Sequence, residues 1–288
     1  MRPAHVIEIV TPRKFVLNGL WFGPKRPRRV LIWTHGLSSS AFSKLSIVGQ
    51  LTDGKTAVVT FNNRGYGNVV RIPRIRRGGK IESITIGAAH ERFTDCVDDI
   101  QGCVNFARKR GVKEIYLAGH STGCQKSIYW ASKTGGRNVK GIILLGPLSD
   151  WAGTPKKKQY KPALQLARTM IRQGKKHQLL PTNMWWHYAD AQRFLSLYTP
   201  DSKEEIFPYS QRNKQPKVYA SIRTPIFALF AGDDEYADRP AQKLVEWFQK
   251  NSGSRRFEAE IIPRVGHSFR GGEGRVARLI RRWINDGK

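Results

Sequence analysis

The sequence predicts an α/β protein: a mostly parallel sheet of eight strands, flanked by helices and interrupted by one helical insertion. Three observations predict it. Short apolar, β-branched runs recur eight times along the 288 residues. Most are hydrophobic throughout rather than alternating, as strands buried on both faces require. Helical patterns separate them, and strands alternating with helices build a parallel sheet covered on both sides.

The first two runs, "HVIEIV" (5–10) and "FVLNGLWF" (15–22), alternate in the manner of antiparallel edge strands. Six more follow: "RVLIWTHG" (29–36), "AVVTFNNRG" (57–65), "EIYLAGHS" (114–121), "VKGIILLGP" (139–147), "PIFALFAGD" (225–233) and "FEAEIIPRVGH" (257–267). The clearest helical pattern spans 88–110, where Phe93, Val97, Ile100, Val104 and Ala107 recur at three- and four-residue spacings. It ends in "RKRG", basic residues followed by a glycine stop. A last helix covers 274–285. Between Gly146 and Pro225 the rhythm breaks for about seventy-five residues rich in aromatics, among them Trp151, Tyr160, Trp185, Trp186, Tyr188 and Phe194. The predicted division is an α/β core of 1–147 and 223–288, with 148–222 as a helical cap.

Composition narrows the class. Hydrophobic residues make up 40%, with eight Trp, nine Tyr and thirteen Phe, as a globular core needs. "MRPAHVIEIVTPRKF" lacks the apolar stretch of a signal peptide, and no run is long enough for a membrane span. A soluble, cytoplasmic protein is expected. Cys96, Cys103 and Cys124 form no CxxC pair, so a disulfide framework is not expected, and Cys124 reads as a small buried helix residue. The formal charge of +28 attracts polyanions or acidic substrates. It is spread over many runs, none belonging to a recognisable nucleic-acid module, and the simplest reading is a solvated basic surface. Arg71, Arg74, Arg76 and Arg77 are placed where they could border a substrate entrance and draw in an acidic ester.

One short stretch carries chemistry. In "GHSTG", Ser121 follows a buried strand and precedes a helical run, "CQKSIYWASK". At such a turn the serine is strained, and only small residues fit at Gly119 and Gly123. A serine nucleophile needs a base and the base an orienting carboxylate. His267, in a glycine-flanked loop after the last strand, can reach back over the sheet. His5, His90, His177 and His187 lie elsewhere in the pattern, and His35 and His120 are placed for structural roles. Asp233, Asp234, Glu235 and Asp238, after the next-to-last strand, all compete for the acid. Acyl transfer also needs oxyanion donors, one being the N–H of the residue after the nucleophile, Thr122.

Together "HGL", "FNNRGYG", "GHSTG", "GDDEYAD" and "VGH" resemble the α/β-hydrolase superfamily along nearly the whole chain, and within it a group of serine hydrolases and esterases. Asn62 stands where the D-x-R-G-x-G turn usually has aspartate. The resemblance implies the α/β-hydrolase fold and the chain order Ser121, Asp234, His267. Matching the end of the acidic loop to G-x-x-D-x-x-V-P selects Asp234, and His-Gly-Leu assigns the second oxyanion donor to the Leu37 N–H. Serine at 121 excludes the dehalogenases and epoxide hydrolases, which use aspartate there. No ligand cluster suggests a metal, and a triad hydrolase implies no cofactor. The resemblance implies hydrolysis of a small carboxylic ester, with Trp185 and Trp186 of the insertion as substrate-binding candidates. Acyl transfer or C–C or amide hydrolysis on the same triad remains open. A non-catalytic basic binding protein is the reading from another class. Oligomeric state is not readable.

Overall fold

A computed structural model describes residues 3–286. In chain order the elements are β1 (Ala4–Val10), β2 (Val16–Phe22), β3 (Arg29–Thr34), α1 (Leu45–Leu51), β4 (Thr56–Phe61), β5 (Val70–Ile75), β6 (Ile81–Ile86), α2 (Cys96–Lys109), β7 (Glu114–His120), α3 (Thr122–Thr134) and β8 (Gly141–Leu145). Then come α4 (Tyr160–Arg172), α5 (Ala191–Tyr198), α6 (Lys217–Ala220), β9 (Ile226–Ala231), α7 (Ala241–Asn251), β10 (Phe257–Ile262) and α8 (Glu273–Asp286).

Eight strands form one sheet in the order β1-β2-β4-β3-β7-β8-β9-β10. The six strands from β4 to β10 in that order run parallel, and β2 pairs antiparallel with both β1 and β4. So β1 alone is an edge strand at that end. Every residue of β3, β4 and β8 is buried, the two-sided burial that their unbroken hydrophobic runs predict. One apolar layer places Ile100, Val104, Ile128 and Trp130 of α2 and α3 on one face. Ile47, Val276, Ile280 and Trp283 of α1 and α8 cover the other. All three cysteines are free and buried. No helix among the described residues is long and apolar enough to cross a membrane.

Two elements differ from the sequence reading. The helix expected from 88 begins at Cys96, after a single 3-10 turn at Phe93–Asp95. Residues 88–91 instead serve the insertion: Arg193 Nε donates to the Ala88 carbonyl at 3.2 Å, and the Asp190 N–H donates to the Ala89 carbonyl at 2.8 Å. The segment after "RGYGN" forms an antiparallel hairpin of β5 and β6. Its turn holds Gly78 and Gly79 at φ 76° and 79°, and Gly-Gly between alternating runs is the signal that marks it. Arg71, Arg74, Arg76 and Arg77 sit on this hairpin and its turn, and none lines the cavity at Ser121.

Residues 148–222 contribute no strand to the sheet. Within them α4 and α5 pack a separate apolar cluster around Tyr160, Trp185, Phe194 and Tyr198.

Candidate active site

Parallel strands bring their carboxyl ends to one rim, where ligands bind in open α/β sheets. Five neighbouring strands converge there. Leu37 follows β3, Ser121 follows β7, Asp150 follows β8, Asp234 follows β9 and His267 follows β10. Register explains the closeness of the first two: Thr34 at the end of β3 pairs with Gly119 in β7. A methyl group on Gly36 would lie 2.8 Å from Ser121 Cβ, so the loop after β3 lies directly against that serine.

Ser121 has φ 55° and ψ −127°, outside the regions favoured by residues with a Cβ. The turn is held at both sides by the Ser121 N–H donating to the Leu145 carbonyl at 3.0 Å and the Cys124 N–H donating to the Ser121 carbonyl at 2.8 Å. A Cβ at Gly119 would overlap the Gly123 carbonyl, and one at Gly123 the Thr34 carbonyl. Backbone strain at a non-glycine residue persists only where its surroundings over-determine it, and here they do.

His267 is fixed from three directions. Its Nδ1–H donates to Asp234 Oδ2 at 2.8 Å, its backbone N–H to Glu235 Oε2 at 2.7 Å, and its carbonyl accepts from His120 Nε2 at 2.9 Å. The Asp234 side chain is buried, and its second oxygen accepts the Tyr236 N–H at 3.0 Å. Burial, with the positive neighbourhood of His267 second, pushes His120 down to about 3, so it stays neutral and serves as a donor. Burial likewise lowers His35 to about 3, and its Nδ1–H donates to the Gly36 carbonyl at 2.8 Å.

Of the four acids in the loop after β9, then, Asp234 meets the imidazole and Glu235 the His267 backbone. Asp238 pairs with Arg239 at 3.0 Å, and Asp233 is exposed. Ser121 and His267 line one cavity of about 600 Å³. Among the described residues Ser121 Oγ makes no hydrogen bond to His267; such contacts are often long without substrate and tighten in the complex. Neither the Leu37 nor the Thr122 N–H donates to another protein group among the described residues.

The two tryptophans separate. Trp186 lines the cavity and is 59% exposed, whereas Trp185 is buried against Phe194 and Tyr198 at ring distances of 5.1 and 5.0 Å. Trp185 is therefore packing within the insertion and does not line the site. The sequence reading missed Lys44, Gln125, Asp150 and Lys157, which also line the cavity. For Asp150 a signal existed, a polar residue close behind the Gly-Pro that ends a buried strand. For the others there was none. No group of three or more His, Cys, Asp or Glu among the described residues is arranged to hold a metal ion.

The architecture and this rim define an α/β-hydrolase fold, and solved structures share it over the full length. Est1E from Butyrivibrio proteoclasticus with ferulic acid bound superposes with a TM-score of 0.66 at 17% identity, covering 98% of both chains. The α/β hydrolase GrgF from Penicillium sp. sh18 gives 0.66 at 18%, over 99% of this chain and 98% of that one. A soluble variant of monoglyceride lipase from Saccharomyces cerevisiae, in complex with a substrate analogue, gives 0.66 at 14%, over 100% and 99%. In sequence, residues 81–284 match the family described as "Protein of unknown function (DUF1749)", and the chain belongs to that family. None of the curated proteins matches it.

Proposed function

We propose that the protein is a serine hydrolase that cleaves small carboxylic esters through an acyl-enzyme. The observation that carries this reading is the 2.8 Å bond from His267 Nδ1 to Asp234 in the cavity that also holds Ser121 on its strained turn. Asp234 fixes the tautomer that leaves His267 Nε2 free to act as base. Ser121 Oγ attacks the ester carbonyl as His267 takes its proton, and Asp234 stabilises the imidazolium. The Leu37 and Thr122 N–H groups receive the oxyanion, each such donor contributing about 2.7–4 kcal/mol to the transition state. His267 then protonates the departing alcohol, and water activated by the same imidazole releases the acid. These steps draw on no metal or cofactor. Residues 148–222 act as the cap over the cavity, with Trp186 facing the substrate. The ferulic acid held by Est1E and the substrate analogue held by the monoglyceride lipase support a small-molecule acyl substrate.

The test is hydrolysis of p-nitrophenyl esters of increasing chain length, together with fluorophosphonate labelling of Ser121. Ser121→Ala should lower kcat by about 10⁶-fold and abolish labelling. Equal rates in wild type and variant, with no label on Ser121, would refute the reading.

A further inference from the structure

The carboxyl of Asp150 lines the cavity without an ion-pair partner among the described residues. Asp150 lies on the chain leaving β8, half-buried, and its Oδ2 accepts a hydrogen bond from Gln125 Nε2 at 2.9 Å. Gln125 belongs to the first turn of α3, four residues past Ser121, and its Nε2 also donates to the Leu148 carbonyl at 2.9 Å. The carboxyl is thus tied to the helix that presents the serine. No cation forms an ion pair with it among the described residues. Two buried cations that act on its charge are committed elsewhere: Lys126 to Glu91 at 2.6 Å, and Arg193 to Glu91 at 2.9 Å and Glu204 at 2.5 Å.

Burial first, and Glu204 second, raise the Asp150 carboxyl to about 8; Glu205 adds to this, and Arg193 and Lys126 oppose it. At neutral pH the group is therefore an acid carrying an O–H. Asp150 Oδ1 makes no hydrogen bond among the described residues and is not among the buried atoms left without a partner, so it keeps accessible surface on a residue that lines the cavity. A protonated carboxyl offers one donor and one acceptor, the pair that a hydroxyl group matches.

The side of the substrate follows from the reaction. His267 protonates the departing alcohol, so that part lies toward His267 and Tyr236, leaving the wall with Gln125, Leu148 and Asp150 to the acyl chain. A substrate ammonium is disfavoured there. Lys44 and Lys157 line the same cavity and form no ion pair among the described residues; Lys157 Nζ lies over the Trp186 ring at 5.5 Å.

We propose that Asp150 is a specificity residue that hydrogen-bonds a hydroxyl group on the acyl part of the substrate, so that the protein prefers hydroxylated acyl esters to their plain counterparts. This rests on the acylation of Ser121 drawn above. The experiment compares kcat/KM for p-nitrophenyl esters of butanoic to octanoic acid, each plain, with a terminal hydroxyl and with a terminal amine. At the chain length that reaches Asp150, the wild type should favour the hydroxyl ester by about 5- to 10-fold, the worth of one neutral hydrogen bond. Asp150→Ala should bring that ratio near one, and Asp150→Asn should keep most of it.

A ratio near one at every length, a ratio unmoved by Asp150→Ala, or a preference for the amine would overturn the proposal. Fluorophosphonate labelling of Ser121 in each variant checks that the site is assembled. If plain esters turn over without preference, only the Asp150 assignment fails. If no ester turns over and Ser121 does not label, the hydrolase reading fails and this proposal with it.

Discussion

The two walls of the cavity are built by different means. On the sheet side, Ser121 and the loop at Leu37 are held by backbone hydrogen bonds, a strained turn and strand register, and His267 by the nearby side chains of Asp234, Glu235 and His120. On the side of residues 148–222, the insertion is tied down by buried charge. Arg193 of α5 joins Glu204 to Glu91, which lies ahead of α2, and Glu91 continues to Lys126 of α3. Asp190 caps α5 by accepting the Arg193 N–H at 2.7 Å, and its other oxygen meets His90 at 3.0 Å and His177 at 3.2 Å. The Ser121 turn tolerates side-chain change nearby so long as its glycines and register survive. A charge-built wall fails when one partner is removed.

The most direct way to break that contrast is Arg193→Met. It leaves Glu91 with Lys126 as its one cationic partner and Glu204 with none, both buried. Removing one member of a buried ion pair costs about 3–5 kcal/mol. Urea unfolding should show that loss, and hydrogen exchange should place the early opening in 148–222 while the sheet stays protected. A loss below about 1 kcal/mol would mean that apolar packing around Tyr160 and Phe194, and not the charges, holds the insertion.

On the sheet side the sharper test is Glu235, a positioning residue for His267 through the 2.7 Å bond to its backbone N–H. Glu235→Ala removes the acceptor and should lower kcat by about tenfold with KM little changed, the worth of one charge-assisted hydrogen bond. Glu235→Gln keeps an acceptor at the same place and should recover most of the rate. A rise in KM alone, or no recovery with Gln, would assign Glu235 to substrate binding instead.

The same division explains what could be read from the sequence. Ser121 and His267 stand in short motifs whose glycines have local steric reasons, and unbroken apolar runs reveal the parallel strands. Asp234 needed a loop alignment because four acids crowd six positions, and only geometry separates the one facing the imidazole from the one facing the backbone. The ion-pair network left no local trace. Glu91 and Arg193 are about a hundred residues apart, and residues 88–91 are engaged with α5 instead of opening α2. Adjacent Trp185 and Trp186 point to different environments because 181–189 is irregular, with no period to say which faces inward.

The smallest effect follows from the ionisable groups on both walls. His35 and His120, held neutral to about 3, make the unfolded chain bind more protons between pH 3 and 6.5, so their share of stability grows across that window. Raised carboxyls act oppositely: burial lifts Asp99 to about 6, Glu205 to about 7 and Asp150 to about 8. Each keeps its proton in the folded protein after the unfolded chain has lost it, so stability falls as pH rises toward the folded value. Between pH 4 and 6.5 the two sets oppose each other. Above 6.5 the histidine contribution levels off and that of Asp99 is nearly spent, so among these groups Glu205 and Asp150 dominate. Calorimetry should therefore find Tm falling by about 3–6 °C from pH 6.5 to 8. Asp150→Asn should flatten the upper part of that fall, because its amide has no proton to lose. A flat Tm across this range in the wild type would mean that the carboxyls at the base of the insertion are already ionised, and that the wall built on charge is anionic where it meets the cavity.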